Sequence, residues 1–189
     1  MAILKIARMG HPVLRQPASP VADPTAPEIA RLVADMKDTL IDIGGNGLAA
    51  PQVYVGLRVV LYRLAAERIP TGAKQPPVDW TALVNPVITA LGDGKMVNYE
   101  RCLSLPDMVG RVERHTKVRC AYQTLEGKHV EIIARGFHAM VLQHECDHLD
   151  GILYPMRMRD LSQFGYASEW KVPDFIRLWS PEAFDGPQD

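Results

Sequence analysis

Apolar positions repeat at helical spacing once near the start of the chain. Ile29, Leu32, Val33, Met36, Leu40 and Ile43 lie three or four residues apart, which places them on one helix face. Pro27 and Glu28 suit the first turn, and Gly44-Gly45 suits the stop. The pattern then changes. Leu57 to Leu64 and Leu83 to Ile88 read as strands, the second bounded by Asn85-Pro86, and the Pro-, Gly-, Lys- and Gln-rich stretch Ala65 to Asp79 reads as an exposed loop or insertion. Val97 to Leu105 reads as a further strand, and Val112 to Leu125 with His129 to Ile133 as a hairpin around Glu126-Gly127. A second helix is expected from Phe137 to Leu149, stopped by Gly151. The opening Gly10-His11-Pro12-Val13-Leu14-Arg15-Gln16-Pro17 breaks regular structure and is expected to lie over the surface. After Asp160 the chain is aromatic but poorly periodic: Phe164, Tyr166, Trp170, Phe175 and Trp179 suggest a segment that packs on something.

Composition narrows the classes. The chain has 189 residues, 47% of them hydrophobic, enough for one domain with a sizeable core. With 21 basic and 22 acidic side chains, the net charge of -1 gives no nucleic-acid signature and no attraction to an anionic membrane. No window approaches the roughly 20 apolar residues of a spanning helix. The first residues lack a secretory signal's apolar run, and Cys102, Cys120 and Cys146 do not form a disulfide framework. A cytoplasmic location is the expectation.

The chemistry concentrates in His144-Glu145-Cys146-Asp147-His148, an H-E-x-x-H pattern. On a helix, residues four apart share a face, so both imidazoles can reach one ion, and Glu145 can reach a water on it. A hydrolytic site needs a third protein ligand and an open position. A histidine six residues after His148 would serve, but Tyr154 stands there. Glu169 lies near the spacing of the carboxylate in thermolysin-like peptidases, and Cys102 offers a thiolate from upstream. A closed structural site with Asp147 or Cys146 as fourth ligand is a further alternative. His11, His115, His129 and His138 have no partners at ligand spacing and read as structural or exposed; Cys120 reads as a small core residue and Cys146 as facing away from the metal side.

Three stretches in order decide between the open readings. Gly45-Asn46-Gly47-Leu48-Ala49-Ala50-Pro51-Gln52, Glu100-Arg101-Cys102-Leu103-Ser104 and Gln143-His144-Glu145-Cys146-Asp147-His148-Leu149-Asp150-Gly151 resemble the G-x-G-L-A-A-P-Q, E-G-C-L-S and Q-H-E-x-D-H-L-x-G motifs of peptide deformylases. The opening Gly10 to Arg15 and the Val84-Asn85-Pro86 step are similar too. The resemblance spans roughly Ile6 to Asp160. It implies an α+β fold with antiparallel β-sheets packed around a central helix carrying H-E-x-x-H. It implies a catalytic domain over residues 1–160, leaving 161–189 as an extension packed on that domain or on a partner.

The resemblance also implies metal ligation by Cys102, His144 and His148, with iron as the native ion and zinc, nickel or cobalt accepted; a soft thiolate beside two imidazoles is consistent with that range. The implied reaction removes the formyl group from N-formylmethionyl nascent peptides, near the ribosome, and releases formate. Glu145 would be the acid/base, while the Gln52 amide and the Leu103 N–H would stabilise the developing oxyanion by roughly 2.7–4 kcal/mol each. Gly45 and Gly47 would let the peptide approach, and Val141, with Phe137, would wall a methionine pocket. Asp147 would accept from a ligand imidazole, or serve as a salt-bridge partner, and Glu100 and Ser104 would brace the cysteine loop. Two positions depart from the pattern: Arg101 replaces a glycine and would be strained if the backbone there were left-handed, but the expectation is a backbone that tolerates a side chain, with Arg101 pointing toward the substrate entrance or capping Glu100; Asn46 stands where many relatives carry an aliphatic residue.

Overall fold

The computed structural model describes residues 2–69 and 75–169. The aromatic positions from Trp170 onward lie outside the described residues.

Helix α1 (Pro27–Ile43) starts on Pro27 and ends at Gly44, whose φ of 70° is left-handed and whose N–H bonds the Leu40 carbonyl at 2.9 Å. Its apolar face buries Ile29, Val33, Met36 and Leu40, whereas Ile43, expected on that face, is 39% exposed at the last turn. Eight strands follow: β1 (Gly47–Ala49), β2 (Val59–Leu64), β3 (Val78–Ala90), β4 (Lys95–Cys102), β5 (Leu105–His115), β6 (Lys117–Gln123), β7 (His129–Arg135) and β8 (Phe164–Tyr166), with helix α2 (Gly136–Leu149) between the last two. They form two antiparallel sheets, one ordered β1-β2-β3-β6-β7 and one ordered β4-β5-β8. The fold is therefore α+β, as expected.

Several expected boundaries move, each for a local reason. Asn85-Pro86 does not bound a strand but makes an irregularity within β3: Asn85 has φ 52°, and its side chain pairs with the N–H and carbonyl of Val21 at 2.8 and 2.9 Å. The stretch expected as one strand from Val112 to Leu125 divides at Thr116, where the chain leaves the three-stranded sheet for the five-stranded one. Alternation continues across the switch and so gives no signal. Val97 to Leu105 likewise divides: a tight turn at Leu103-Ser104 joins β4 to β5 and leaves Cys102 at the strand end. The segment expected as an exposed loop contributes more than surface. Val78 begins β3, and the Gln75 amide oxygen accepts the N–H of His138 at 3.0 Å. The opening segment forms a 3-10 turn, Pro12–Leu14, whose Leu14 is buried.

Helix α2 is buried along nearly its whole length, with His138 half-buried. It packs on β1, β2, β3, β6 and β7 of one sheet and on β5 of the other. A helix enclosed on all sides needs no polar stripe, so periodicity is a poor guide to it. Gly151 ends the segment at φ 73°; a Cβ there would lie 2.7 Å from the Arg15 carbonyl carbon, so both conformation and close approach require glycine. Two apolar clusters flank α2. The larger joins Leu142 and Leu149 to Val60, Tyr62, Leu64 and Leu83, and a smaller one joins Cys102, Leu105, Val112, Leu153 and Tyr154. No helix among the described residues is long and apolar enough to cross a membrane.

Candidate metal centre

The end of β4 delivers Cys102, and one face of α2 delivers His144 and His148. Their ligand atoms all lie within 4.8 Å of one another, and all three side chains are buried. Cys102 Sγ is 3.3 Å from His148 Nε2, and the two imidazoles meet edge to face with centroids 5.0 Å apart. The residues expected as ligands are thus the ones brought together. The alternatives are not. Glu169 is exposed and next to Ser168, Asp147 faces two guanidiniums, and Cys146 meets Cys120. His11 packs against Tyr54, His115 pairs with Lys95, and His138 pairs with Tyr62.

The donor set fits a divalent ion. Glu100 Oε2 lies 2.7 Å from His144 Nδ1, which leaves Nε2 as that ring's free donor atom. One thiol and two imidazoles, buried and with their ligand atoms this close, form a cradle for a cation. Burial opposes protonation of His144, but hydrogen bonds to Cys102 and Glu100 outweigh it and raise its pKa well above the ordinary value. Burial, then the neighbouring His144 and Arg114, lowers that of His148. Burial also pushes Glu145 up to about 7, and its Oε2 has no hydrogen-bond partner among the described residues.

Gln52 does two jobs at once. Its amide oxygen accepts the Ala49 N–H at 2.9 Å, which turns its NH2 toward Cys102 Sγ at 3.4 Å and Ser104 Oγ at 3.2 Å. Ser104 Oγ thus accepts from the same amide that reaches Cys102. Gly47 has a reason invisible in the sequence: a Cβ there would lie 2.3 Å from Glu145 Oε1. At Gly45 a Cβ would meet Leu40 Cδ2 at 2.6 Å. Val141 and Phe137 are buried in the larger apolar cluster, one turn and two turns before His144.

Asp147 does not accept from an imidazole. It pairs with Arg114 at 2.5 Å and Arg157 at 2.7 Å, and Glu100 is the residue that holds the His144 ring. Arg114 in turn grips Glu100 two-pronged, Nε to Oε1 at 2.7 Å and Nη2 to Oε2 at 2.9 Å. Burial opposes ionisation of Glu100, yet Arg114 beside it holds the carboxyl down to about 2. Neither arginine was recognisable in the sequence, because each meets its partners across elements. Gln143 fixes the helix against β5: its NH2 donates to the His115 carbonyl at 2.9 Å, and its oxygen accepts the His115 N–H at 3.0 Å.

The two departures are accommodated. Arg101 is exposed at an irregularity of the β4–β5 register, and its backbone is not left-handed, so no strain arises. Asn46 lends its carbonyl to the Arg63 N–H at 2.8 Å, while its side-chain Oδ1 is buried without a partner among the described residues.

Known proteins resemble the chain throughout this region. The family model described as polypeptide deformylase matches residues 3–164. Peptide deformylase 1 of Nitrosomonas europaea is 44% identical over 164 residues, covering 87% of this chain and 92% of that one. Peptide deformylase 1 of Prochlorococcus marinus is 40% identical over 95% of this chain and 93% of its own length. Among solved structures, the class I type b peptide deformylase from Acinetobacter baumannii bound to Met-Ala-Ser superposes with a TM-score of 0.75 at 35% identity, covering 82% of this chain and 98% of that one. The enzyme from Ehrlichia chaffeensis in complex with actinonin gives 0.78 at 28% identity, over 86% and 92%. Motifs, fold and match over nearly the whole described chain agree: this protein belongs to the polypeptide deformylase family, the enzymes that remove the N-formyl group from nascent peptides.

Proposed function

We propose that Cys102, His144 and His148 hold one divalent ion, Fe2+ in the native protein, and that Glu145 is the general base and acid of deformylation. The observation that carries this reading is the convergence of one thiol and two imidazoles within 4.8 Å, in a buried site beside a carboxyl raised to about 7. Zn2+, Ni2+ or Co2+ suits the same donors. When bound, such an ion acidifies a water molecule and polarises the formyl carbonyl.

The chain's own residues supply the rest. Glu145 takes a proton from the attacking water and returns it to the leaving amine nitrogen, so the formyl C–N bond breaks and formate departs. A pKa near the operating pH suits a group that must accept and then donate. The Gln52 amide NH2 and the Leu103 N–H donate to the oxygen on which charge develops. The turn of Gln52 toward Cys102, set by Ala49, supports that role. Gly45 and Gly47 bring the motif loop close to the site, and Val141, with Phe137, walls the methionine pocket. Helix α2 forms the centre of the fold, a reading supported by its packing on both sheets. The catalytic domain occupies residues 1–160, with 161–189 as an extension; the pairing of β8 with β5 supports packing of its first residues on the same domain. The substrate is an N-formylmethionyl nascent peptide met near the ribosome, in the cytoplasm.

The test is Glu145→Ala assayed by formate release from formyl-Met-Ala-Ser. Loss of general acid/base catalysis lowers turnover by about 10²–10⁴-fold, while metal content stays that of the parent. Undiminished turnover rejects the role of Glu145. Elemental analysis of protein purified without oxygen identifies the ion.

A further inference from the structure

The ion pairs behind His144 continue to the surface. Glu100 Oε2 meets the His144 ring at 2.7 Å, Arg114 grips Glu100 two-pronged, and its remaining Nη1 donates to Asp147 Oδ2 at 2.5 Å. Arg157 closes the line, donating from Nη2 to Asp147 Oδ1 at 2.7 Å and from Nε to Oδ2 at 3.1 Å. The Glu100, Arg114 and Asp147 side chains are at most 9% exposed, whereas Arg157 is 45% exposed. Two guanidiniums thus alternate with two carboxylates from solvent to the imidazole, and their charges cancel.

Arg157 lies outside the three motifs, on the 3-10 turn Tyr154–Arg157 that follows α2. The same turn stacks the Tyr154 ring against that of His144, centroids 6.2 Å apart and planes inclined by 25°. One short segment therefore approaches the metal-ligating histidine twice, through an aromatic face and through the charge line.

Charge parity is the physical point. Without Arg157, two buried carboxylates share one guanidinium. A buried ion deprived of a partner is costly, so the remaining groups must rearrange. Arg114 carries its donors in one rigid fork, and turning it toward Asp147 loosens its grip on Glu100. Glu100 then holds His144 less firmly. The lost positive charge would also draw a divalent ion more strongly, but Arg157 is half-exposed and screened by solvent, so that long-range effect is the smaller one.

We propose that Arg157 is a positioning residue of the metal centre, acting through Asp147, Arg114 and Glu100 to keep His144 Nδ1 as a donor and its Nε2 turned to the ion. The inference rests on Cys102, His144 and His148 being the metal site.

The experiment follows transfer of zinc from the loaded full-length protein to EDTA. Removing a direct outer partner of a metal ligand costs about 10–100-fold in affinity. Arg157 acts at one remove further, and Arg157→Gln is expected to speed zinc loss by about three- to tenfold. Arg157→Lys, which keeps the charge, recovers part of that. In an Asp147→Asn background, Arg157→Gln adds nothing, because the line is already cut. The visible spectrum of the cobalt-loaded protein shifts in Arg157→Gln. A merely structural role lowers the melting temperature of the metal-free protein and leaves the zinc-transfer rate and the cobalt spectrum alone. Zinc loss at the parent rate or slower, or effects that add in the double variant, overturns the inference. A parent protein that takes up no zinc overturns the metal-centre reading itself, which separates the two failures.

Discussion

Gly47→Ala isolates the position of Glu145 from every other feature of the site. The Gly47 backbone is not left-handed, so alanine meets no backbone strain. The obstacle is packing: the new Cβ would lie 2.3 Å from Glu145 Oε1, 2.6 Å from Cδ and 2.8 Å from Cγ. Movement of the carboxylate tip alone does not relieve a contact with Cγ. The side chain must retreat by about 1 Å to regain van der Waals distance. A misplacement of about 1 Å at a reacting group costs roughly 100-fold, or about 2.7 kcal/mol of barrier. Overpacking also costs about 1–3 kcal/mol of stability, so the variant must be assayed well below its melting temperature. The expected result is kcat for formyl-Met-Ala-Ser down about 100-fold, with metal content unchanged. Gly56→Ala is the control, since nothing lies within 4 Å of a Cβ there. If Gly47→Ala keeps kcat within about threefold of the parent, the carboxylate position is not what Gly47 protects.

Two further outcomes concern stability. Burial lowers the pKa of His138 to about 4, and its Nε2 lies 3.0 Å from the Tyr62 hydroxyl. With the folded value below the unfolded 6.5, the folded state binds fewer protons in that window; the stability is fully present above pH 6.5 and is lost as pH falls toward about 4. The loss amounts to about 2–3 kcal/mol in urea denaturation, and His138→Gln removes it. Parallel loss in parent and variant would exclude His138 as its source. Leu142→Ala empties a fully buried position on α2 and lowers unfolding free energy by about 2–5 kcal/mol; a loss under about 1 kcal/mol would mean that the site collapses around the cavity.

What the sequence could reveal follows from the range of each signal. The H-E-x-x-H spacing needs only helix geometry, so His144, Glu145 and His148 were legible. Cys102 became legible through Glu100, Leu103 and Ser104 around it rather than through spacing from the histidines. The α1 face was legible because one side meets water; α2 carried no such stripe. Long-range pairing was illegible. Asp147 could have served an imidazole, and only the fold shows Arg114 and Arg157 claiming it. Thr116, where β5 passes into β6 and the chain changes sheets, carries no turn chemistry, so alternation ran straight through it. The reason for glycine at position 47 was hidden for the same cause: Glu145 lies 98 positions away in sequence.

The polar residues of α2 also explain how a helix buried on every side keeps one register. Apolar packing alone tolerates rotation and sliding, because Val141, Leu142 and Leu149 find hydrophobic neighbours in many poses. Gln143 does not: it reproduces a backbone-like pair with His115 at the end of β5. The adjacent Arg114 of the same strand takes Asp147 with one arm and Glu100 with the other two nitrogens, and Glu100 takes His144. A slide of one residue breaks all of these together and strands buried charges, a penalty of several kcal/mol per ion. Desolvating Glu100, Arg114 and Asp147 gains little net stability. It selects the single helix position in which two imidazoles face Cys102 and Glu145 fits beside Gly47.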